Sequence, residues 1–183
     1  MERHRIIPLL FVLCLLGARV ASAQDARTFG VTMGYPATVG VLWHVNDKLA
    51  VRPEVSFVHS SSETESTPPI ADSTSDGNAF SVGLSAVISL ARWDMTRAYV
   101  VPRYAYGRTT SSINGPFTIQ DDVTATTHSM GVSFGAQHAL GERFAVYGEL
   151  GLVYEKSDTE VTTSELHRNS FGTRSGVGVV VYF

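Results

Sequence analysis

From residue 27 onward the chain alternates apolar side chains with small or polar ones, in segments separated by turns and polar stretches. Residues 27–35 put Phe29, Val31, Met33 and Tyr35 on one face and Thr28, Gly30, Thr32 and Gly34 on the other. Successive side chains of a strand point to opposite faces, so period two predicts a strand with one apolar face. A short turn at Pro36 and Ala37 leads into Val39, Val41, Trp43 and Val45, alternating with Gly40, Leu42 and His44. Asn46, Asp47 and Lys48 supply turn chemistry. Residues 49–60 then set Val51, Val55 and Phe57 against Arg52, Glu54 and Ser56.

The pattern repeats to the end of the chain. Residues 79–90 set Phe80, Val82, Leu84, Ala86, Ile88 and Leu90 against Ser81, Gly83, Ser85, Val87 and Ser89. After a turn at Trp93 and Asp94, residues 97–108 place Val100, Pro102, Tyr104 and Tyr106 opposite Tyr99, Val101, Arg103 and Gly107. Residues 127–140 oppose Met130, Val132, Phe134 and Ala136 to Gly131, Ser133, Gly135 and Gln137. A hairpin turn at Gly141 and Glu142 leads to residues 143–156, where Phe144, Val146, Leu150, Leu152 and Tyr154 face away from Tyr147, Glu149, Gly151, Val153 and Glu155. The last segment, 170–183, carries Phe171, Val177, Val179, Val181 and Phe183 on one side and Gly172, Arg174, Gly176, Gly178, Val180 and Tyr182 on the other.

Eight strands are predicted, with polar loops over 61–77, 109–126 and 157–169. Short turns around Asn46, Trp93 and Gly141 fall at one end and the long loops at the other, with the short connection at Pro36 on the long-loop side, which is the pattern of a transmembrane β-barrel. Eleven aromatics of the apolar face decide which way that face turns. Phe29, Trp43, Phe144 and Phe183 lie at the short-turn end; Tyr35, Phe57, Phe80, Tyr104, Tyr106, Tyr154 and Phe171 lie at the long-loop end. Two aromatic girdles around an aliphatic band are what the two membrane interfaces select. The alternative, a secreted soluble barrel with its apolar face inward around a ligand, leaves a Gly/Ser/Thr face outside and the girdles unexplained. The fold class is therefore all-β, an eight-stranded antiparallel up-and-down transmembrane β-barrel. Pro53 and Pro102 each remove a ladder donor inside a predicted strand, and β-bulges are expected there.

The segment before residue 24 has a different character. Arg3 and Arg5 precede an apolar run over 6–17, and Ala21-Ser22-Ala23 offers a small-x-small cleavage site. Basic, apolar and small regions in that order predict a secretory signal peptide over 1–23 and a barrel domain over 24–183. The only cysteine, Cys14, lies in that leader, so disulfides and thiolate metal sites are excluded from the mature chain. Without Glu2, Arg3, Arg5 and Arg19, the 14 basic and 17 acidic residues become 11 and 16, a formal charge of −5. An acidic chain lacks the basic footprint of a nucleic-acid binder.

The segment 39–57 and the terminal Val179-Val180-Val181-Tyr182-Phe183 carry a family resemblance. With nearly the whole mature chain, they resemble the small eight-stranded outer-membrane barrel domain of the OmpA/OmpX type, here ending without a periplasmic peptidoglycan-binding domain. The resemblance implies location in the cell outer membrane of a Gram-negative-type cell. It also implies contact with outer-membrane lipid and lipopolysaccharide, and an assembly signal at Val179, Val181, Tyr182 and Phe183 read by the barrel-assembly machinery. A non-enzymatic structural or surface-interaction role is expected, with no cofactor and a surface partner that the resemblance leaves open.

Candidate chemistry falls in two places. Arg52, Glu54, Arg103, Glu149, Glu155 and Arg174 are the charges of the inward face, three of each sign. They read as a structural ion network filling the lumen, since buried charges must pair; a porin-like narrow pore is the alternative. In the loops, Asp121, Asp122, His128, Asp158, Glu160, Glu165 and His167 offer the Asp/His pairs an envelope hydrolase needs to activate water. Solvated polar loops have the same composition; the nine acids against Arg168 in the three loops offer binding to divalent cations or a basic partner on one reading and a solvated surface that repels aggregation on the other. A lipid deacylase would need His and Ser two apart on one face; His128 is followed by Ser129 on the opposite face and Met130 two on.

The chain end supplies a first prediction. Phe183→Asp should impair membrane assembly far more than Phe117→Asp in a loop, measured as the fraction of heat-modifiable barrel in membrane extracts. Equal insertion of both variants would remove the terminal strand's assigned importance.

Overall fold

The computed structural model describes residues 28–64, 73–114, 122–161 and 164–183; the expected leader, 1–23, lies outside them. The strands are β1 (Phe29–Tyr35), β2 (Thr38–His44), β3 (Leu49–Thr64), β4 (Ser73–Trp93), β5 (Thr96–Asn114), β6 (Asp122–Ala139), β7 (Phe144–Val161) and β8 (Ser164–Tyr182). Each pairs antiparallel with its sequence neighbour, and β1 pairs with β8 to close the barrel. Turns at 45–48, 94–95 and 140–143 lie at one end; Asp94, with φ 45°, takes the left-handed backbone that Asp tolerates.

The registers fix the barrel's stagger. Val31 lies opposite Val41, the β2–β3 register carries that level to Pro53, and it continues through Leu84, Tyr104, Met130, Tyr154 and Phe171. The β8–β1 register then returns it to the level of position 41, ten residues along from the start. A stagger of ten over eight strands corresponds to a tilt of about 40° and a lumen just wide enough for side chains.

Neither proline forms the expected bulge. The β2–β3 register is the same on both sides of Pro53, and the β4–β5 register is the same on both sides of Pro102. The ladder instead skips the pairs at Val41 and Leu42 opposite Pro53, and at Ala86 and Val87 opposite Pro102. Each proline turns its missing donor toward one neighbour and keeps full register with the other, at Leu84 and Val132. The register does shift between Ser89 and Ala91, near the short-turn end of β4.

All eleven aromatics of the predicted girdles are exposed on the outer wall, with Val, Leu, Ile and Met between them. On β7 the girdles are Phe144 and Tyr154, ten residues apart. At strand rise and this tilt the band is roughly 25 Å tall, the height of an outer-membrane apolar belt.

The strands, however, run well past the upper girdle, through much of what composition marked as loop. Position 64 of β3 pairs with position 73 of β4, 74 with 114, 112 with 122, and 161 with 164. These extensions are polar on both faces because both are in water, so the alternation vanishes while their Thr and Ser remain compatible with extended structure. The rim is uneven. β1 and β2 stop at Tyr35 and Thr38, and above them the paired walls of β3 and β8 continue with one side open. A notch two strands wide results.

The outward girdles generate a prediction about solvent. Refolded protein should require detergent and resist SDS until boiled, the compact form migrating apart from the unfolded one. Recovery as a detergent-free soluble monomer would overturn the lipid-facing wall.

Candidate functional site in the barrel lumen

Alternation sends every second residue of each strand into the lumen, and the lumen is stratified. Its lower half, toward the short turns, is an apolar floor: Leu42, Ala50, Val87, Tyr99, Val101, Ala145, Tyr147, Val180 and Tyr182 form one buried cluster. Glycines make room for the rings. A Cβ on Gly135 would sit 2.5 Å from the Tyr99 ring, and one on Gly178 would sit 2.5 Å from the Tyr147 hydroxyl. Beneath the cluster, Arg97 donates to Gln137 at 3.0 Å and Gln137 donates to the Tyr182 hydroxyl at 2.7 Å, so the bottom is closed by polar contacts as well.

Above the floor lies an ion network. Glu149 stands midway between Phe144 and Tyr154 on β7, hence near mid-membrane. Arg52 donates to it through both terminal nitrogens, Nη1 to Oε1 at 2.7 Å and Nη2 to Oε2 at 3.0 Å. The same guanidinium has Nε 3.3 Å from Glu54 Oε1, an ion pair without hydrogen-bond geometry. Glu54 Oε2 pairs with Arg103 Nη1 at 3.0 Å and accepts from Ser85 at 3.1 Å. Tyr99 donates to Glu149 Oε1 at 3.1 Å, and the Arg52 guanidinium lies 5.4 Å from the centre of the Tyr147 ring. Arg52 is 3 % and Glu54 5 % exposed, so the network is sealed from water on its lower side. Two arginines and two glutamates cancel, and the fork-to-fork geometry of Arg52 with Glu149 is the strong form of such a pair.

Four of the six inward charges expected from the sequence are therefore joined. The other two stand apart. Glu155 lies one residue past Tyr154 at the upper girdle, opposite Ser170, and Arg174 lies between Phe171 and Val177, opposite Gly151. Among the described residues neither has an ion-pair partner. Of the terminal residues, Tyr182 belongs to the floor, while Phe183 is exposed and donates its N–H to the Phe29 carbonyl at 3.1 Å.

The floor itself was the part least visible in the sequence. Its signal is the cluster of large residues on an otherwise small face: Val87, Tyr99, Val101, Tyr147, Val180 and Tyr182 all lie toward the short-turn ends of their strands.

Among the described residues, the loop candidates His128, Asp158 and His167 lie on the outer wall and not in the lumen. His128 faces outward, its Nδ1 2.8 Å from the Tyr104 hydroxyl. His167 Nδ1 lies 2.7 Å from Asp158 Oδ1, also on the outer wall, and this hydrogen bond, with Lys156 nearby, holds the Asp158 carboxyl below its ordinary range. The pair is exposed at the side of the extended sheet rather than above its rim. Asp121 lies outside the described residues, and no cluster of three or more metal-ligating side chains occurs among those described.

The network yields a stability prediction with an internal control. Glu149→Ala strands Arg52 and removes the acceptor of Tyr99, and should lower stability by about 3–5 kcal/mol. Glu155→Ala, which breaks no pair, should cost about 0.5 kcal/mol or less. Urea titration in detergent micelles followed by tryptophan fluorescence measures both; equal losses would show that the network is not what stabilises the barrel.

Comparison with known proteins agrees with this architecture. A family model described as "Outer membrane protein beta-barrel domain" matches residues 16–183. A major outer membrane protein from Thermus thermophilus superposes with TM-score 0.60 at 12 % identity, covering 86 % of this chain and 100 % of that one. CarO of Acinetobacter baumannii (TM-score 0.48, 13 % identity, 88 % of this chain and 100 % of that one) and Neisserial surface protein A (0.49, 16 %, 85 % and 93 %) are further neighbours. At such identities the likeness is one of fold, and it rests on the Thermus structure. No curated protein matches the sequence. The chain belongs to the outer-membrane protein β-barrel domain family and resides in the cell outer membrane.

Proposed function

We propose that this barrel is a non-conducting, non-enzymatic protein of a Gram-negative-type envelope, acting through structural support and surface interaction rather than transport. The observation that carries this reading is the stratified lumen. An apolar floor braced by Arg97, Gln137 and Tyr182 lies below a charge-balanced network, and these side chains fill the lumen toward the short-turn end. A porin-like pore needs a file of water past these side chains, and the bidentate Arg52–Glu149 pair lies across it. The hydrolase alternative has less support, because Asp158 and His167 bond each other on the outer wall and His128 is engaged by Tyr104.

The surface-interaction half of the reading is supported by what projects above the membrane. Just past the upper aromatics, Arg108, His128 and Lys156 succeed one another on β5, β6 and β7, with His128 directly opposite Lys156. Outward cations at this height suit the phosphates of lipopolysaccharide, which is the lipid partner of this reading. Higher still, the extended sheet presents polar side chains and one-sided strand edges to the medium. The exposed Phe183 on the closing strand is the residue on which recognition by the barrel-assembly machinery would act, after a leader over 1–23 is removed.

Conductance tests the central point. Refolded wild-type protein in a planar bilayer should show no discrete current steps beyond those of bilayer alone. Robust ion-selective channels from the wild type, abolished by neutralising Arg52 or Glu149, would replace the sealed barrel with a pore.

A further inference from the structure

Above the network the lumen changes from filled to open, and the change centres on Arg174. Its inward neighbours along β8 are Gly172 and Gly176. A Cβ built on Gly172 would meet nothing within 4 Å, and one on Gly176 only the Tyr35 carbonyl oxygen at 3.6 Å. Arg174 therefore projects between two unfilled positions. The adjoining walls carry small residues as well, Ser81, Gly83, Ala105, Gly131 and Gly151 on β4 to β7, but Arg103 fills the space beside Gly83 and neighbouring backbone crowds Gly131 and Gly151, so the open space lies on the β8 side.

The charges do not balance at this depth. Between the girdles, the described lumen holds Arg52, Arg103 and Arg174 against Glu54 and Glu149. Glu155 is the remaining inward carboxylate, and it lies four residues farther out than Gly151, the residue opposite Arg174. Glu54 occupies Nη1 of Arg103, whereas the buried Nε of Arg103 has no hydrogen-bond partner. One excess positive charge thus faces a low-dielectric cup that is closed beneath by the network and, among the described residues, open toward the outer surface and the notch above the β1–β2 turn. Walls of this kind concentrate the field of the charge they enclose and favour a counterion.

We infer that Arg174, with the open positions at Gly172 and Gly176 beside it, forms a binding site for the carboxylate of a small solute entering from outside the cell. A guanidinium presents a planar fork that matches a carboxylate through two parallel hydrogen bonds, and one carboxylate neutralises the single excess charge. The cup is blind, so the solute is held and released on the same side. The site lies apart from the outer wall and from the lipid-facing cations, and it does not depend on what the surface contacts.

Sodium acetate is the probe. The full-length mature protein, refolded in detergent micelles and labelled with nitrogen-15, is titrated with acetate while sodium chloride holds ionic strength constant. Arginine Nε–H resonances are read, and that of Arg174 is assigned by its loss in Arg174→Gln. The Arg174 signal should shift saturably with acetate and not with chloride alone. Arg168→Gln, near the rim, should leave the Arg174 response unchanged. If R174Q fails to fold, Gly172→Leu keeps Arg174 and fills the open position; it should abolish saturation while retaining the heat-modifiable barrel. A linear, non-saturating response, or equal shifts at Arg168 and Arg174, would overturn the site. Saturation by inorganic phosphate without saturation by acetate would overturn its assignment to a carboxylate. The readout is independent of conductance, so a channel found in the bilayer experiment and a failure here are separate results.

Discussion

A bilayer core offers no water to an unpaired N–H or C=O, and this constraint shapes the molecule more than any side-chain contact. It requires closure of the sheet through β1 and β8, and closure with eight strands and a stagger of ten fixes the width of the lumen. The prolines show how little slack remains. Pro53 and Pro102 are kept in register on one side and tolerated on the other, where two consecutive pairs are missing from each ladder. A bulge at either site would shift every outward side chain beyond it and break the girdle, whereas a local loss of pairing leaves Phe57, Tyr104 and Tyr106 in place.

A lumen of fixed width has to be filled according to level. Where large residues face inward they meet in the centre, and the glycines opposite Tyr99 and Tyr147 are the complement of those rings. Where β8 turns to Gly172 and Gly176, the space beside them is largely empty. The ion network lies at the boundary between these regions. Its lower face is dry, which strengthens the bidentate Arg52–Glu149 pair; its upper member is Arg103, whose Nε is buried against Gly83 without a hydrogen-bond partner. Removing two charges from water is costly, and replacement of such pairs by apolar groups is often neutral or stabilising. The network therefore needs a reason beyond stability. Fixing the register of β3, β5 and β7 across the barrel is one.

The fold could be read from the sequence because period two is a direct consequence of strand geometry, and because the girdle aromatics mark which face meets lipid. Every one of those aromatics is outward in the structure. Strand length was not legible in the same way. Above the membrane both faces are wet, so the hydrophobic alternation that signals a strand disappears while the hydrogen-bonded ladder continues to Thr64, Asn114 and Val161. The ion pairs were half legible. Face alone selects Arg52, Glu54, Arg103, Glu149, Glu155 and Arg174, but which of them meet depends on stagger, and a one-residue change of register would move Glu149 relative to Arg52 by a full strand step. The floor escaped for a different reason: averaged over the whole inward face, its few large residues are outnumbered by glycine and serine.

The uneven rim ties these levels to the outside. β1 and β2 end near the upper girdle while β3 to β8 continue, so the wall is lowest beside Tyr35, whose carbonyl is the atom nearest to an added Cβ on Gly176. The low side of the wall and the open side of the cup thus coincide on β8. A strand edge left unpaired in this way invites pairing with another chain, and charged residues on it are a known safeguard; the open edge of β8 carries His167, Arg168 and Arg174 along its length. Of these, Arg174 is the one whose parity turns it into the lumen between two glycines. A charge whose only purpose was to protect the edge would serve as well on the outer face, among the polar residues above the girdle. Its inward position, at the foot of the notch and over the network, is better explained by what the cup can hold.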